Sequence, residues 1–196
     1  MEKIDKFKRV AKAVLKLLYL EGKSGLSFTK ISKESKVSRA WLYKYVGKNT
    51  QDLLIYAADH FGEEILSRGG DISKIKTAED LSHHALRTTW EVMDMFSNYP
   101  EVLSIYFRYN GRKSPLSDKI KEIEGKQFKV MGDAISKVTG ISKKEAALVS
   151  EILMAIRMGL NFRYTQCQMG KRHSQKEIQE ALRRVFQHSL PLLKST

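Results

Sequence analysis

The chain of 196 residues has one cysteine, Cys167, so an intrachain disulfide is excluded and the expected setting is a reducing cytoplasm. Only three prolines occur, Pro100, Pro115 and Pro191. Strand-like alternation of β-branched residues is nearly absent, which argues against a sheet. No apolar run reaches the roughly 18 residues a membrane span needs. Lys12 and Lys16 interrupt what would otherwise resemble the apolar core of a signal peptide. There is no Gly-rich phosphate loop, no nucleophile elbow and no acid–base carboxylate pair, so a helical enzyme is the weakest reading and no cofactor is expected. His83 and His84 are adjacent and point about 100° apart on a helix, so they do not share one ion, and no metal site is expected.

What the chain does have is positive charge. Lys and Arg number 35 against 22 Asp and Glu, a net of +13. Residues 1–50 carry 13 basic and 4 acidic side chains, residues 51–100 carry 4 and 9, and the remainder 18 and 9. A surplus concentrated in the first quarter points to a polyanionic partner, nucleic acid or an anionic membrane.

Helical periodicity runs nearly end to end and predicts an all-α protein of nine helices. The first, from about Lys3 to Leu20, places Ile4, Phe7, Ala11, Val14 and Leu18 on one stripe with lysines opposite. Ser27 and Ser38 are placed to cap two short helices, and Gly47 stops the second. A fourth helix opens near Thr50 and closes at Gly69-Gly70. Thr77 with Asp80, Ser142 with Glu145, and Ser174 with Glu177 mark three later helix starts. Pro100 and Pro115 open two more helices, and Pro191 stops the last.

The segment from Ser27 to Val46 is two short helices joined by a tight turn. Ile31, Val37, Leu42 and Tyr45 are expected to press them together, with the small Ser32 at their crossing. Ser38, Arg39, Ala40, Trp41, Tyr43 and Lys44 then lie outward or nearly so. An α-helix fits the major groove of B-DNA, and the start of the second helix reaches base edges. Arg39 suits a bidentate bond to guanine, and Ala40 and Trp41 a thymine methyl. Tyr43, Lys44, Tyr45, Ser27 and Thr29 are candidates for the interface. Lys48 and the amides near Thr50 and Gln51 make an expected phosphate site.

Ser27-Phe-Thr-Lys-Ile31 and Val37-Ser-Arg-Ala-Trp-Leu-Tyr-Lys-Tyr45, followed by Leu53-Leu54, resemble the DNA-binding signature of the TetR family of bacterial transcriptional regulators. The detailed likeness covers about residues 5–60. This chain departs from it with Lys36 where the family usually has a turn glycine, with Val46 for the usual Phe, and with one extra residue before the fourth helix. A non-glycine at Lys36 in a left-handed conformation costs on the order of 1 kcal/mol.

The resemblance implies two domains: a helix-turn-helix over residues 1–48, and an effector-binding and dimerisation domain over residues 49–196. It implies a homodimer on a palindromic DNA operator, its last two helices forming a four-helix bundle. Leu148, Ile152, Ala155, Gly159 and Phe162 share one stripe, and Ile178, Leu182, Val185 and Ser189 another. It further implies a small-molecule effector among the middle helices, where Trp90, Met93, Phe96, Tyr106, Phe107, Phe128, Met131, Met154, Met158 and Tyr164 lie. His84, Thr88, Arg157 and Asn161 are the polar candidates there. The expectation is a repressor released from DNA by its ligand. The rival reading is a membrane-surface or interaction protein built on the basic amphipathic first helix.

Overall fold

The computed structural model describes residues 2–68, 72–166 and 169–189, and every regular element among them is helical. The helices are α1 (Glu2–Glu21), α2 (Phe28–Ser35), α3 (Arg39–Tyr45), α4 (Thr50–Arg68), α5 (Ala78–Asn98), α6 (Pro100–Tyr109), α7 (Pro115–Thr139), α8 (Lys143–Thr165), the single turn α9 (Met169–Arg172) and α10 (Gln175–Ser189). Nine of the described helices exceed one turn, as the periodicity predicts. Gly69, Gly70, Cys167 and Pro191, and the side chains of Ile4 and Ser189, lie outside the described residues.

The helix starts follow from the sequence. Ser27 and Ser38 accept hydrogen bonds from the backbone N–H groups of Lys30 and Trp41. Thr77 with Asp80 and Ser142 with Glu145 form reciprocal capping boxes. Ser174 and Glu177 bond each other's backbone N–H in the same way. Each device satisfies amides that a helix start would leave bare, at about 1 kcal/mol apiece.

The chain divides into two compact units. The first comprises Met1–Ile65 with Glu101–Ile123, and the second Leu66–Pro100 with Glu124–Thr196. In the first, the α1 stripe of Val10, Ala11, Val14 and Leu18 is buried, together with Ile31, Leu42, Leu53, Ala57 and Leu103. A buried Leu or Ile contributes about 1.5–3 kcal/mol. That stripe is therefore spent on the core and is not offered to a lipid surface. In the second unit, Leu81, Ala85 and Met93 of α5 pack with Ile135 of α7, Ala146 of α8, and Ile178, Leu182 and Phe186 of α10.

Candidate functional site

The turn between α2 and α3 is held from both sides. Lys36 adopts the left-handed conformation, with φ 56° and ψ 35°. Val37 is buried behind it, and Ser38 begins α3. The small buried residue here is Ser35, whose Oγ donates to the Ile31 carbonyl at 2.7 Å. Ser32, expected in that place, is only half-buried. Lys30 pairs with Glu21, and Lys16 with Glu34 at 2.6 Å, tying α1 to α2. Both pairs are solvent-exposed, so they register the helices more than they stabilise them.

With Leu42 turned inward, α3 exposes Arg39, Ala40, Tyr43, Lys44 and Tyr45, and Ser38 and Thr29 are exposed beside them. Ser27 is half-buried, its hydroxyl engaged as a cap. The Tyr43 ring stacks on Phe28 at 4.4 Å and 12°, and the Arg39 guanidinium lies 5.9 Å from the Tyr43 centroid. The Lys44 ammonium lies 5.1 Å from the Tyr45 ring. Arginine, tyrosine and phenylalanine thus form a column that restrains the guanidinium at the start of the exposed face.

Two expectations are revised here. Trp41 is half-buried, its ring edge-on to Phe7 of α1 at 4.9 Å and 4.9 Å from Tyr45. An indole held by α1 offers an edge, not a full face, to any groove. Tyr45 does not press α2 against α3. It joins Phe7 and Trp41 instead, and Tyr56 of α4 closes the group, its hydroxyl donating to the Phe7 carbonyl at 3.2 Å.

The corner before α4 is also revised. Asp52 Oδ2 accepts from the amides of Lys48 (2.7 Å) and Asn49 (3.1 Å), and Asn49 Oδ1 accepts from the Asp52 amide (3.0 Å). Those N–H groups hold the Asp52 carboxyl below the usual carboxylate range. A built-in anion therefore occupies the turn, and the Lys48 contribution rests on its exposed side chain. Gly47, with φ 147°, lies against Asp52, and a Cβ there would collide with that side chain.

In the second unit, all four polar effector candidates come together across α5 and α8. Arg157 Nη2 donates to Thr88 Oγ1 at 3.0 Å and Nε to Thr89 Oγ1 at 3.4 Å. Thr88 in turn donates to the His84 carbonyl, and Asn161 Nδ2 to the Arg157 carbonyl, at 2.9 and 2.8 Å. Burial lowers the Arg157 pKa to about 10, leaving the guanidinium charged at neutral pH. It also lowers that of His84, helped by the neighbouring Arg87 and Arg157 charges. Thr89 was not foreseen, although the Thr88-Thr89 doublet was there to signal it. Trp90 is half-buried 6.4 Å from Tyr164, Phe96 is buried, and Phe128 is half-buried on α7. Phe107 is exposed on α6, in the first unit. His83 is exposed while His84 is buried, as their spacing requires.

The expected dimer residues separate into two groups. Leu148 and Ile152 of α8 are 58% and 50% exposed, Ala155, Gly159 and Phe162 are exposed along the same helix, and Val185 of α10 is exposed. Ile178 and Leu182 are corrected: at 3% and 7% exposure they line the second unit's own core. Ile178, Leu182 and Phe186, four residues apart, present one face of α10 to α5, and Val185 at the edge of that face is left exposed. Ser82 Oγ on α5 bonds the Phe186 carbonyl at 3.3 Å, sealing that contact.

No family model and no curated protein matches the chain in sequence. Solved structures do match its fold. A TetR-family transcriptional regulator from Syntrophomonas wolfei aligns over 97% of this chain and 96% of its own, at TM-score 0.71 and 17% identity. A TetR-like transcriptional regulator from Rhodococcus sp. RHA1 aligns over 94% and 95%, at 0.67 and 11%. The transcriptional regulator FadR from Bacillus subtilis, solved in complex with stearoyl-CoA, aligns over 96% and 98%, at 0.63 and 18%. Along nearly its whole length, then, this chain has the fold of TetR-family transcriptional regulators.

Proposed function

We propose that the protein is a TetR-type, sequence-specific DNA-binding transcriptional regulator of the cytoplasm, acting as a homodimer on a palindromic operator. The observation that carries this is the outer face of α3, where Arg39, Tyr43 and Lys44 are exposed on a helix fixed by the Ser38 cap and by buried Leu42. Residues 1–48 are the reading head, and residues 49–196 dimerise and sense a ligand. Arg39 reads base edges, while Lys44 and Lys48 contact phosphates. One such head reads a few base pairs, so two are needed, and the exposed apolar stripe of Leu148, Ile152, Ala155, Gly159 and Phe162 is the surface for joining them. Repression is relieved by a ligand that favours the conformation in which the two heads are wrongly spaced, and only its differential affinity counts.

Selection of bound duplexes from a random pool tests the reading. The expected result is a palindrome with half-sites about one helical turn apart and an affinity falling steeply with salt. No enrichment at low salt, or enrichment without a repeated half-site, overturns it. The burial of the α1 stripe weighs against the membrane-surface reading, and no helix among the described residues is long and apolar enough to cross a membrane.

A further inference from the structure

Arg157 is half-buried, and its charge has no carboxylate hydrogen-bonded to it among the described residues. Its hydrogen bonds run to two neutral hydroxyls, and it forms no ion pair with a carboxylate among the described residues. A partly desolvated cation without an anion is a costly arrangement. The hydroxyls do not depend on it, since Thr88 donates to the carbonyls of His84 and Ala85, and Thr89 to that of Ala85. Removing the guanidinium would leave both donors satisfied, so it is not needed as a strut.

Two further groups there are incomplete. His84 Nε2 and Asn161 Oδ1 are buried without a hydrogen-bond partner, on residues 6% and 0% exposed. The Asn161 orientation follows from its Nδ2 donating to the Arg157 carbonyl, which leaves Oδ1 as the idle acceptor. His84 Nδ1 lies 3.4 Å from Arg87 Nη2, which can only donate, so Nε2 is the nitrogen that carries hydrogen. Unused donors on a histidine and a guanidinium, with a charge to be balanced, describe a receptor for an anion. Arg87 already pairs with Glu91 at 3.1 Å, leaving one net positive charge at Arg157. One charge and a planar fork of donors match one carboxylate better than a doubly charged phosphate. The same helices carry Met93 and Met158, both buried, and half-buried Trp90, Leu153 and Leu160. Thioethers repack readily around an apolar body.

We propose that the effector of this regulator is an apolar monocarboxylate whose carboxylate pairs with Arg157 between α5 and α8, with His84 Nε2 as a second donor. The proposal rests on the reading of residues 49–196 as a ligand sensor, and its test uses no DNA. Sodium octanoate below its micellar concentration is titrated into the full-length protein, followed by thermal unfolding and calorimetry. Sodium acetate, 1-octanol, octylamine and octyl phosphate are the comparison ligands. Octanoate is expected to raise the melting temperature and to bind at least tenfold more tightly than each of the others. Arg157→Met is expected to melt no lower than the parent and to lose that binding at least tenfold, while Arg157→Lys retains part of it. Equal responses to octanoate and octanol, or tighter binding of octyl phosphate or octylamine, overturn the proposal. So does unchanged octanoate binding by Arg157→Met, or an Arg157→Met protein that unfolds well below the parent, since the guanidinium is then structural. If octanoate fails while duplex selection still yields a palindrome, the inference falls and the regulator stands.

Discussion

The outer face of α3 and the facing sides of α5 and α8 both gather cationic and polar side chains, but opposite physics holds them. On α3, Arg39, Tyr43 and Lys44 stand in water, and their positions are set from beneath by Leu42 and at the helix start by the Ser38 cap. Between α5 and α8, Thr88 and Asn161 are withdrawn from water, Arg157 is half-buried, and the three position one another directly. The first kind of group can be replaced without disturbing the fold, and its long-range attraction is screened by salt. The second is coupled to folding, is barely screened, and shifts its pKa when it lacks a partner.

The largest expected effect comes from the residue that supports the exposed face rather than from one displayed on it. Leu42→Ala should cost about 3 kcal/mol of unfolding free energy, measured by urea denaturation, because it empties a fully buried site. It should take DNA binding down with it. Arg39→Ala should leave the denaturation curve unchanged and cost about 1–3 kcal/mol per half-site on the selected operator, roughly 5- to 150-fold, with little effect on unrelated DNA. Lys48→Ala should weaken all duplexes about equally and reduce the salt slope by about one unit per lost phosphate contact. An Arg39→Ala protein that unfolds early would blur the distinction between displayed and supporting residues.

Much of this was legible in the sequence because the signals are local. A serine or threonine before an amphipathic run is a cap whatever lies elsewhere, so Ser27, Ser38, Thr77, Ser142 and Ser174 all start helices. The four polar effector candidates meet because each interrupts an apolar helix face. What was not legible depends on partners distant in the chain. Nothing around Trp41 announces that Phe7 will take its ring. The loop before α4 does not announce the capping role of Asp52, although Asn49 three residues earlier is the available clue. Ile178 and Leu182 share a helix with Val185, and periodicity alone could not say which face meets α5.

A smaller effect sharpens the contrast at the turn. Lys36 sits in the left-handed region, where a Cβ crowds the carbonyl that follows, and glycine escapes this. Lys36→Gly is therefore expected to stabilise the protein by about 1 kcal/mol in urea denaturation, less whatever entropy the glycine gains when unfolded. DNA affinity should fall slightly, since an exposed positive charge is lost from the basic segment. No stabilisation would mean that the contacts around Val37 already absorb the strain.

The smallest effect belongs to the buried cluster and is read through pH. The His84 pKa lies below its ordinary 6.5 because the ring is desolvated and faces Arg87 and Arg157, with Glu91 opposing them only in part. Above pH 6.5 the imidazole is neutral in folded and unfolded chains alike, so nothing is lost. As pH falls below 6.5, the unfolded chain takes up a proton that the folded one refuses, and stability declines until the folded value is passed. His60, also held below its ordinary value by burial, declines in the same direction, so the parent profile alone does not isolate either. The difference between parent and His84→Gln does: urea unfolding at pH 7.5 and 5.5 should show a smaller loss in the variant. An identical loss would place the pH sensitivity at His60 in the first unit.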